Sequence, residues 1–445
     1  MEPKRQTRRT FLVGMAFLSI CAFWQMYNNV IPLILTNTFH LNETYSGIIM
    51  AADNVLALFL LPFFGVVNDR CKWKMGRRRP FVLIGTLLAV GFMMLLPLLD
   101  DAYFTAPATW RLVCFIVALG ALLIAMGSYR SPAVALMPDV TPKPQRSRAN
   151  AIINLMGAIG GIIYLLVATV LYSSARTAGK EHVSYVLLFA IVAGIMLLAL
   201  FVLMTMVDEP AWAAEVREYE KAHPEENLAE EVVGGGERLP AAVKKSLGFL
   251  LVSIALWFMG YNAVETWFTT YASRIWDASL GDASLCLTIA TLGAIVTYYP
   301  TGIMAEKLGR KKTIRIGLVI LGGDFAAMAC LGFYMKSFSP FLYIFFALVG
   351  VAWAMINVNS LPMVVEMCRA EDIGKFTGYY YAFSMAAQTV TPIVAGTLLA
   401  RIGYGTLFPY SAIMVALALF TFAFVRHGDS KVIAKRGQEV FEDMD

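Results

Sequence analysis

Twelve apolar runs divide this chain, each long enough to cross the roughly 30 Å hydrocarbon core of a bilayer with about 20 helical residues. They lie at 9–36, 43–67, 80–99, 110–134, 148–173, 184–206, 244–271, 281–304, 313–334, 340–364, 376–399 and 405–426. With 58% hydrophobic and only 15% charged residues among 445, the chain has too little polar surface to cover a soluble globule. The pattern predicts an all-α membrane protein, since a helix satisfies its own backbone hydrogen bonds where no water can reach.

An even number of spans returns both termini to one side. Counted on that side, the loops and tails hold 29 of the 36 Lys and Arg. The opposite side has Arg111, Arg176, Lys180, Arg274, Lys336 and Arg401, and Arg130 falls inside a span. The excess of positive charge predicts cytoplasmic termini and a multi-pass protein of the plasma membrane. A net charge of +5 follows from that asymmetry and implies no nucleic-acid partner. The cysteines are scattered without CxxC spacing, so neither disulfides nor a metal site are expected. No phosphate-binding loop, HExxH pair or nucleophile elbow is present, so no enzyme activity and no cofactor are expected, and the chain is read as a monomer.

Repeats divide the chain in two. Tyr27-Asn28-Asn29-Val30 recurs as Tyr261-Asn262-Ala263-Val264, Gly65-x-x-x-Asp69-Arg70 as Gly302-x-x-x-Glu306-Lys307, and Asp139 is matched by Glu366. Near-equal offsets in the same order predict two pseudo-symmetric six-helix bundles, residues 1–206 and 244–445. Between them, 207–243 reads as a charged helix followed by a flexible joint at Gly234-Gly235-Gly236. In such a pair of bundles the solute site lies near mid-membrane between the halves.

The loop from Gly65 to Pro80, with its shortened second copy, resembles the cytoplasmic signature of the major facilitator superfamily. The string Asp69-Arg70-Cys71-x-x-x-x-Gly76-Arg77-Arg78-Arg79-Pro80-Phe81 is similar to that of sucrose/proton symporters, within the glycoside-pentoside-hexuronide:cation symporter group. Arg146-Ser147-Arg148-Ala149-Asn150-Ala151-Ile152 also resembles the stretch entering span 5 in that family. The resemblance implies the major facilitator fold and a disaccharide such as sucrose or maltose carried with protons. The chain departs from it in span 4, where plant sucrose carriers have an acid and 122–129 has none.

The loop has a physical reading of its own. Asp69 can accept hydrogen bonds from a helix N-terminus while Arg70 and Arg77 reach Asp139, latching the bundle ends in one state. Gly65 is read as part of the same gate. Glu306, Lys307, Arg310 and Glu366 form the matching, weaker latch.

Ionisable groups within spans are expensive and mark function. Asp53 lies sixteen residues before Asp69, about 24 Å along a helix, and is the preferred proton-coupling group. Arg130 is the second, about 13 Å deep by the same rise, either holding Asp53 ionised or clasping hydroxyls. Asp324 in span 9 is read as structural or protonated. A neutral hydroxyl-rich solute needs amides or carboxylates for paired hydrogen bonds and an aromatic plane for stacking. Span 1 offers Gln25, Asn28 and Asn29 on one face beside Trp24 and Tyr27. Span 7 offers Tyr261, Asn262 and Glu265, with Asn154, Trp353, Asn357, Asn359 and Gln388 in spans 5, 10 and 11. Amides also serve as helix-to-helix glue. The expected function is proton-coupled sugar symport by alternating access. The alternatives are a sodium-coupled carrier of sugars or amphipathic lipids, and a membrane sugar sensor that moves nothing.

Overall fold

The computed structural model describes residues 3–142, 145–222, 241–335, 337–367 and 373–428. Every span is a helix. The first half comprises α1 (Pro3–Leu33), α2 (Glu43–Asp69), α3 (Arg79–Thr105), α4 (Thr109–Asp139), α5 (Arg146–Leu171) and α6 (Val186–Met206). The linker helix α7 (Glu209–Ala222) precedes the second half, α8 (Ala241–Trp276), α9 (Leu280–Leu308), α10 (Arg310–Tyr334), α11 (Leu342–Val365), α12 (Ile373–Arg401) and α13 (Leu407–Ala423). Twelve of these helices are long and apolar enough to span a membrane. The expected glycine joint of the linker lies outside the described residues.

The helix ends are set by local chemistry. Asn42 caps α2 by accepting the Thr44 N–H at 2.8 Å. Ser279 and Asp282 form a reciprocal capping box at the start of α9. Pro80 stands in the first turn of α3, where its missing N–H costs nothing.

Packing repeats between the halves. α1 lies on α5, α2 and α3 on α4, and α6 on α1 and α3; in the same way α8 lies on α12, α9 and α10 on α11, and α13 on α8 and α10. Each half has its own hydrophobic core, one built around Phe23, Phe115 and Phe189, the other around Trp257, Trp267 and Phe325. The two-bundle symmetry read from the offsets is thus present in the packing.

The halves meet through α2 with α12, α5 with α9, and α1 with α8. Let the terminal face be the one where α1 begins, and the far face its opposite. The hydrogen bonds joining the halves cluster toward the far face. Gly281 donates its N–H to Tyr172 O at 2.9 Å, Arg274 to Thr36 O at 2.9 Å and Thr269 to Asn29 O at 3.0 Å, and the Tyr404 hydroxyl meets Glu43. Two glycines bring the backbones of α2 and α12 together there. A Cβ on Gly47 would stand 2.2 Å from Pro392 O, and one on Gly396 2.4 Å from Glu43 O. Toward the terminal face the contact is lost. Ser46, Gly47, Met50 and Ala51 are buried, yet no described residue from 52 to 67 is, and Tyr379, Tyr381, Ala382 and Phe383 of α12 are exposed. The molecule is closed on the far face and parts toward the terminal face.

Candidate functional site

Polar residues from four helices converge just beneath the far-face closure. Asn28 of α1, Asp53 and Asn54 of α2, Asn262, Glu265 and Thr266 of α8, and Gln388 of α12 line one cavity of about 60 Å³, completed by Met50 and Pro392. Asn262, Glu265 and Thr266 share it because positions i, i+3 and i+4 fall on one helix face. The space admits a few waters and is well below the roughly 300–1,000 Å³ of small-molecule sites.

Two prolines add acceptors. Pro32 and Pro392 stand inside α1 and α12 and have no N–H to give. The carbonyls of Asn28 and Gln388, four residues earlier, therefore lose their α-helical donors at the cavity wall. The sequence reading did not include this feature, although a proline one turn after a polar residue in an apolar run is visible in the letters.

Asp53 accepts a hydrogen bond from Asn54 Nδ2 at 3.0 Å. Arg130 is near enough to interact electrostatically with it, but no ion pair joins the two among the described residues. The Arg130 guanidinium instead lies over the Trp24 ring, 5.8 Å from its centroid. Tyr27 is buried beside Asp53 with its hydroxyl unpartnered, and Trp24 meets Tyr27 edge to face at 5.4 Å. In the other half Tyr261 and Trp353 stack on each other at 3.8 Å with planes 9° apart. Half-buried Asn357 neighbours the Tyr298 hydroxyl.

Other expected ligands are spent elsewhere. Asn29, 1% exposed, donates to Gln25 O at 2.6 Å, and lies 3.4 Å from the Gln25 amide oxygen. Asn359, 2% exposed, bonds back to Met355 O at 2.9 Å. Both amides are turned into their own helices. Asn154 is exposed on α5 and is not among the residues lining the cavity. Asp324 is buried in α10, away from the cavity, with both oxygens unpartnered.

The terminal-face latch is built differently from the expectation. Arg78 makes it, with Nη2 2.7 Å from Asp69 Oδ1 and Nε 2.8 Å from Asp139 Oδ2, whereas Arg70 and Arg77 are exposed. Burial works against the charge on Arg78, and the two carboxylates outweigh it, holding the guanidinium above its ordinary value. The anion at the start of α3 is not Asp69 but Glu209, which accepts the N–H groups of Arg77 at 2.7 Å, Arg78 at 3.0 Å and Arg79 at 3.0 Å. Gly76, at φ +108°, admits that carboxylate, since a Cβ would come within 2.4 Å of Glu209 Oε2. Gly65 lies 3.8 Å from Ser131 Oγ by the same measure, and Ser131 donates to Leu61 O at 3.0 Å, tying α4 to α2. In the second half Arg310 pairs with Glu366 and Lys307 is exposed; the Glu306 side chain lies outside the described residues.

The linker helix belongs to the first half. Glu215 of α7 pairs with Arg9 at 2.8 Å and with Arg5 at 3.2 Å, and Arg9 also lies over Trp212.

Comparison with known proteins gives this architecture a family. The sequence profile of the Major Facilitator Superfamily matches residues 13–276 and 271–442. The sucrose transport protein SUC3 of Arabidopsis thaliana is 33% identical over 138 residues, covering 28% of this chain and 23% of that protein, so the chain spans under a quarter of its length. The sucrose transport protein SUT5 of Oryza sativa subsp. japonica is 21% identical over 425 residues, 82% of this chain and 77% of that one. Among solved structures, the inward-open xylose transporter XylE from E. coli aligns with a TM-score of 0.65 at 17% identity, covering 95% of this chain and 96% of that one. With twelve spanning helices in two matched bundles and a profile match over nearly its whole length, the chain belongs to the major facilitator superfamily of membrane transporters.

Proposed function

We propose that this protein is a proton-coupled symporter of a sugar, of the disaccharide class, working by alternating access between residues 1–206 and 244–445. The observation that carries the reading is that Asp53 and Glu265, from opposite halves, line one cavity with the amides of Asn28, Asn262 and Gln388. Paired acids and amides match the hydroxyl donors and acceptors of a neutral sugar. Trp24, Tyr27, Tyr261 and Trp353 supply aromatic faces nearby. Relatives named for sucrose transport, and a human relative named as a proton-associated sugar transporter, 26% identical over 169 residues, support the same class.

Asp53 is the proton-coupling group, sited beneath the far-face closure where a change of state exposes it to the other side. Arg130 tunes it at a distance. The concentration of Lys and Arg on the terminal face makes that face cytoplasmic, so the described state opens inward. Arg78, Asp69, Asp139 and Glu209 hold the first half's terminal ends together, and Arg310 with Glu366 those of the second.

The sodium-coupled reading is the runner-up, since two carboxylates and amide oxygens in one space offer oxygen ligands. Against it, the human relative is named for protons and not for sodium. Uptake of mono- and disaccharides into proteoliposomes under an imposed pH gradient tests the proposal. Accumulation that follows the pH gradient and is lost in Asp53→Asn supports it; accumulation that follows sodium at constant pH overturns it. Binding without counterflow would leave only a sensor.

A further inference from the structure

A second cluster of ligating side chains lies away from the cavity, at the far face, where the end of α3 meets the segment between α5 and α6. His182 Nε2 is 2.8 Å from Asp101 Oδ1 and 3.8 Å from Asp100 Oδ2. Ser184 Oγ donates to the other Asp101 oxygen at 2.6 Å. Phe104 stacks on the imidazole at 4.4 Å with planes 13° apart, fixing the ring.

Asp100 is the telling member. It is 0% exposed, and both carboxylate oxygens are buried without a hydrogen-bond partner. The Thr38 hydroxyl is near enough to interact but stands outside hydrogen-bonding geometry. A carboxyl stripped of water and left short of donors is costly. Here it points at an imidazole nitrogen and a second carboxylate, a donor set that a cation would complete.

The spacing fits such an ion. One ligand atom each from Asp100, Asp101 and His182 lie within 4.8 Å of one another. The distances from Nε2 to the two carboxylates bracket the about 3.3 Å between neighbouring donors in a tetrahedral site with bonds of about 2.0–2.1 Å. An imidazole with two carboxylates suits zinc and its first-row neighbours better than magnesium or calcium, which favour all-oxygen shells. Access is open, because His182 and Phe104 line a far-face cavity of about 760 Å³.

We propose that Asp100, Asp101 and His182 form a binding site for a zinc-class divalent cation on the far face. The ion takes the place of the His182–Asp101 hydrogen bond, with Ser184 still orienting Asp101 from behind. It clips α3 to the α5–α6 connection. That same connection carries Tyr172 and Ser174, which bond across to Gly281 and Asp282 of the other half, so an occupied site stiffens the rim that must open. The sequence hides the site, since His182 and Asp101 are 81 residues apart and no cysteine takes part.

The test is zinc titration of the purified full-length protein, free of any polyhistidine tag, by calorimetry and by thermal unfolding. One ion per chain is expected, with a zinc-dependent rise in Tm. Affinity should fall at least tenfold in His182→Ala and in Asp101→Asn, and the rise in Tm should vanish in both. These two variants change partly exposed residues, so the result does not hang on replacing the fully buried Asp100. Absence of saturable binding to the native protein, or native affinity retained in either variant, overturns the proposal.

Discussion

Asp53 of α2 and Glu265 of α8 face one cavity from opposite halves of the molecule. Both therefore meet whatever water or solute occupies that space of about 60 Å³. Any motion that separates α2 from α8 takes the two acids apart.

The two acids should therefore separate by mutation. Asp53→Asn is expected to cut pH-driven accumulation at least tenfold while leaving substantial counterflow. Glu265→Gln should lower both, since the proposed sugar site also uses it for hydrogen bonds. Transport assays in proteoliposomes decide this. Full pH-driven accumulation in Asp53→Asn would move the coupling role elsewhere.

Removing Arg78 should matter more than removing its neighbours. Arg78→Ala leaves Asp69 and Asp139 without their shared partner and is expected to cost roughly 1.5–3 kcal/mol, as for hydrogen bonds to charged groups. Arg77→Ala, at an exposed side chain, should be near neutral. Thermal unfolding in detergent checks the pair, and equal losses would sink the assignment of the latch to Arg78.

Closure of the far face depends on Gly47. In Gly47→Ala the added methyl carbon would lie 2.2 Å from Pro392 O, so α2 and α12 cannot meet as they do. The variant is expected to lose uptake and to label faster at an introduced Asn37→Cys with a membrane-impermeant maleimide. Gly194→Ala, where a Cβ meets nothing within 4 Å, serves as the tolerated control.

Acid should release the linker helix. The hydrogen bond from Arg9, with the charge of Arg5, holds the Glu215 carboxyl below its ordinary value of 4.5. A depressed acid contributes stability that is present above the ordinary value and lost as pH falls through the lowered one. Hydrogen exchange over α7 should rise in that window, and Glu215→Gln should exchange fast already at pH 7. Protection unchanged by the substitution would refute the docking role.

The spans were readable because a membrane allows only one way to satisfy so many apolar residues, and the repeat offsets supplied the symmetry. Asn28, Asp53, Asn262, Glu265 and Gln388 were readable for the same reason: each is a polar group in a run where polarity is costly. What separates them from Asn29 and Asn359 is helical phase finer than a third of a turn, together with an alternative partner in their own backbone, and composition carries neither. Three consecutive arginines at 77–79 look alike in the letters. Only the turn at Gly76 decides that Arg78 points inward. Glu209 escaped because it meets Arg79 across 130 residues, a distance no local pattern spans.

The size of the central cavity bears on inhibitor discovery. A rigid fit into the collapsed space would select fragments of only a few heavy atoms, whatever the carrier takes in life. Compound searches are better directed at the space between α2 and α12 on the terminal-face side of the Gly47–Pro392 contact, where a bulky molecule would act as a wedge against closure of that side.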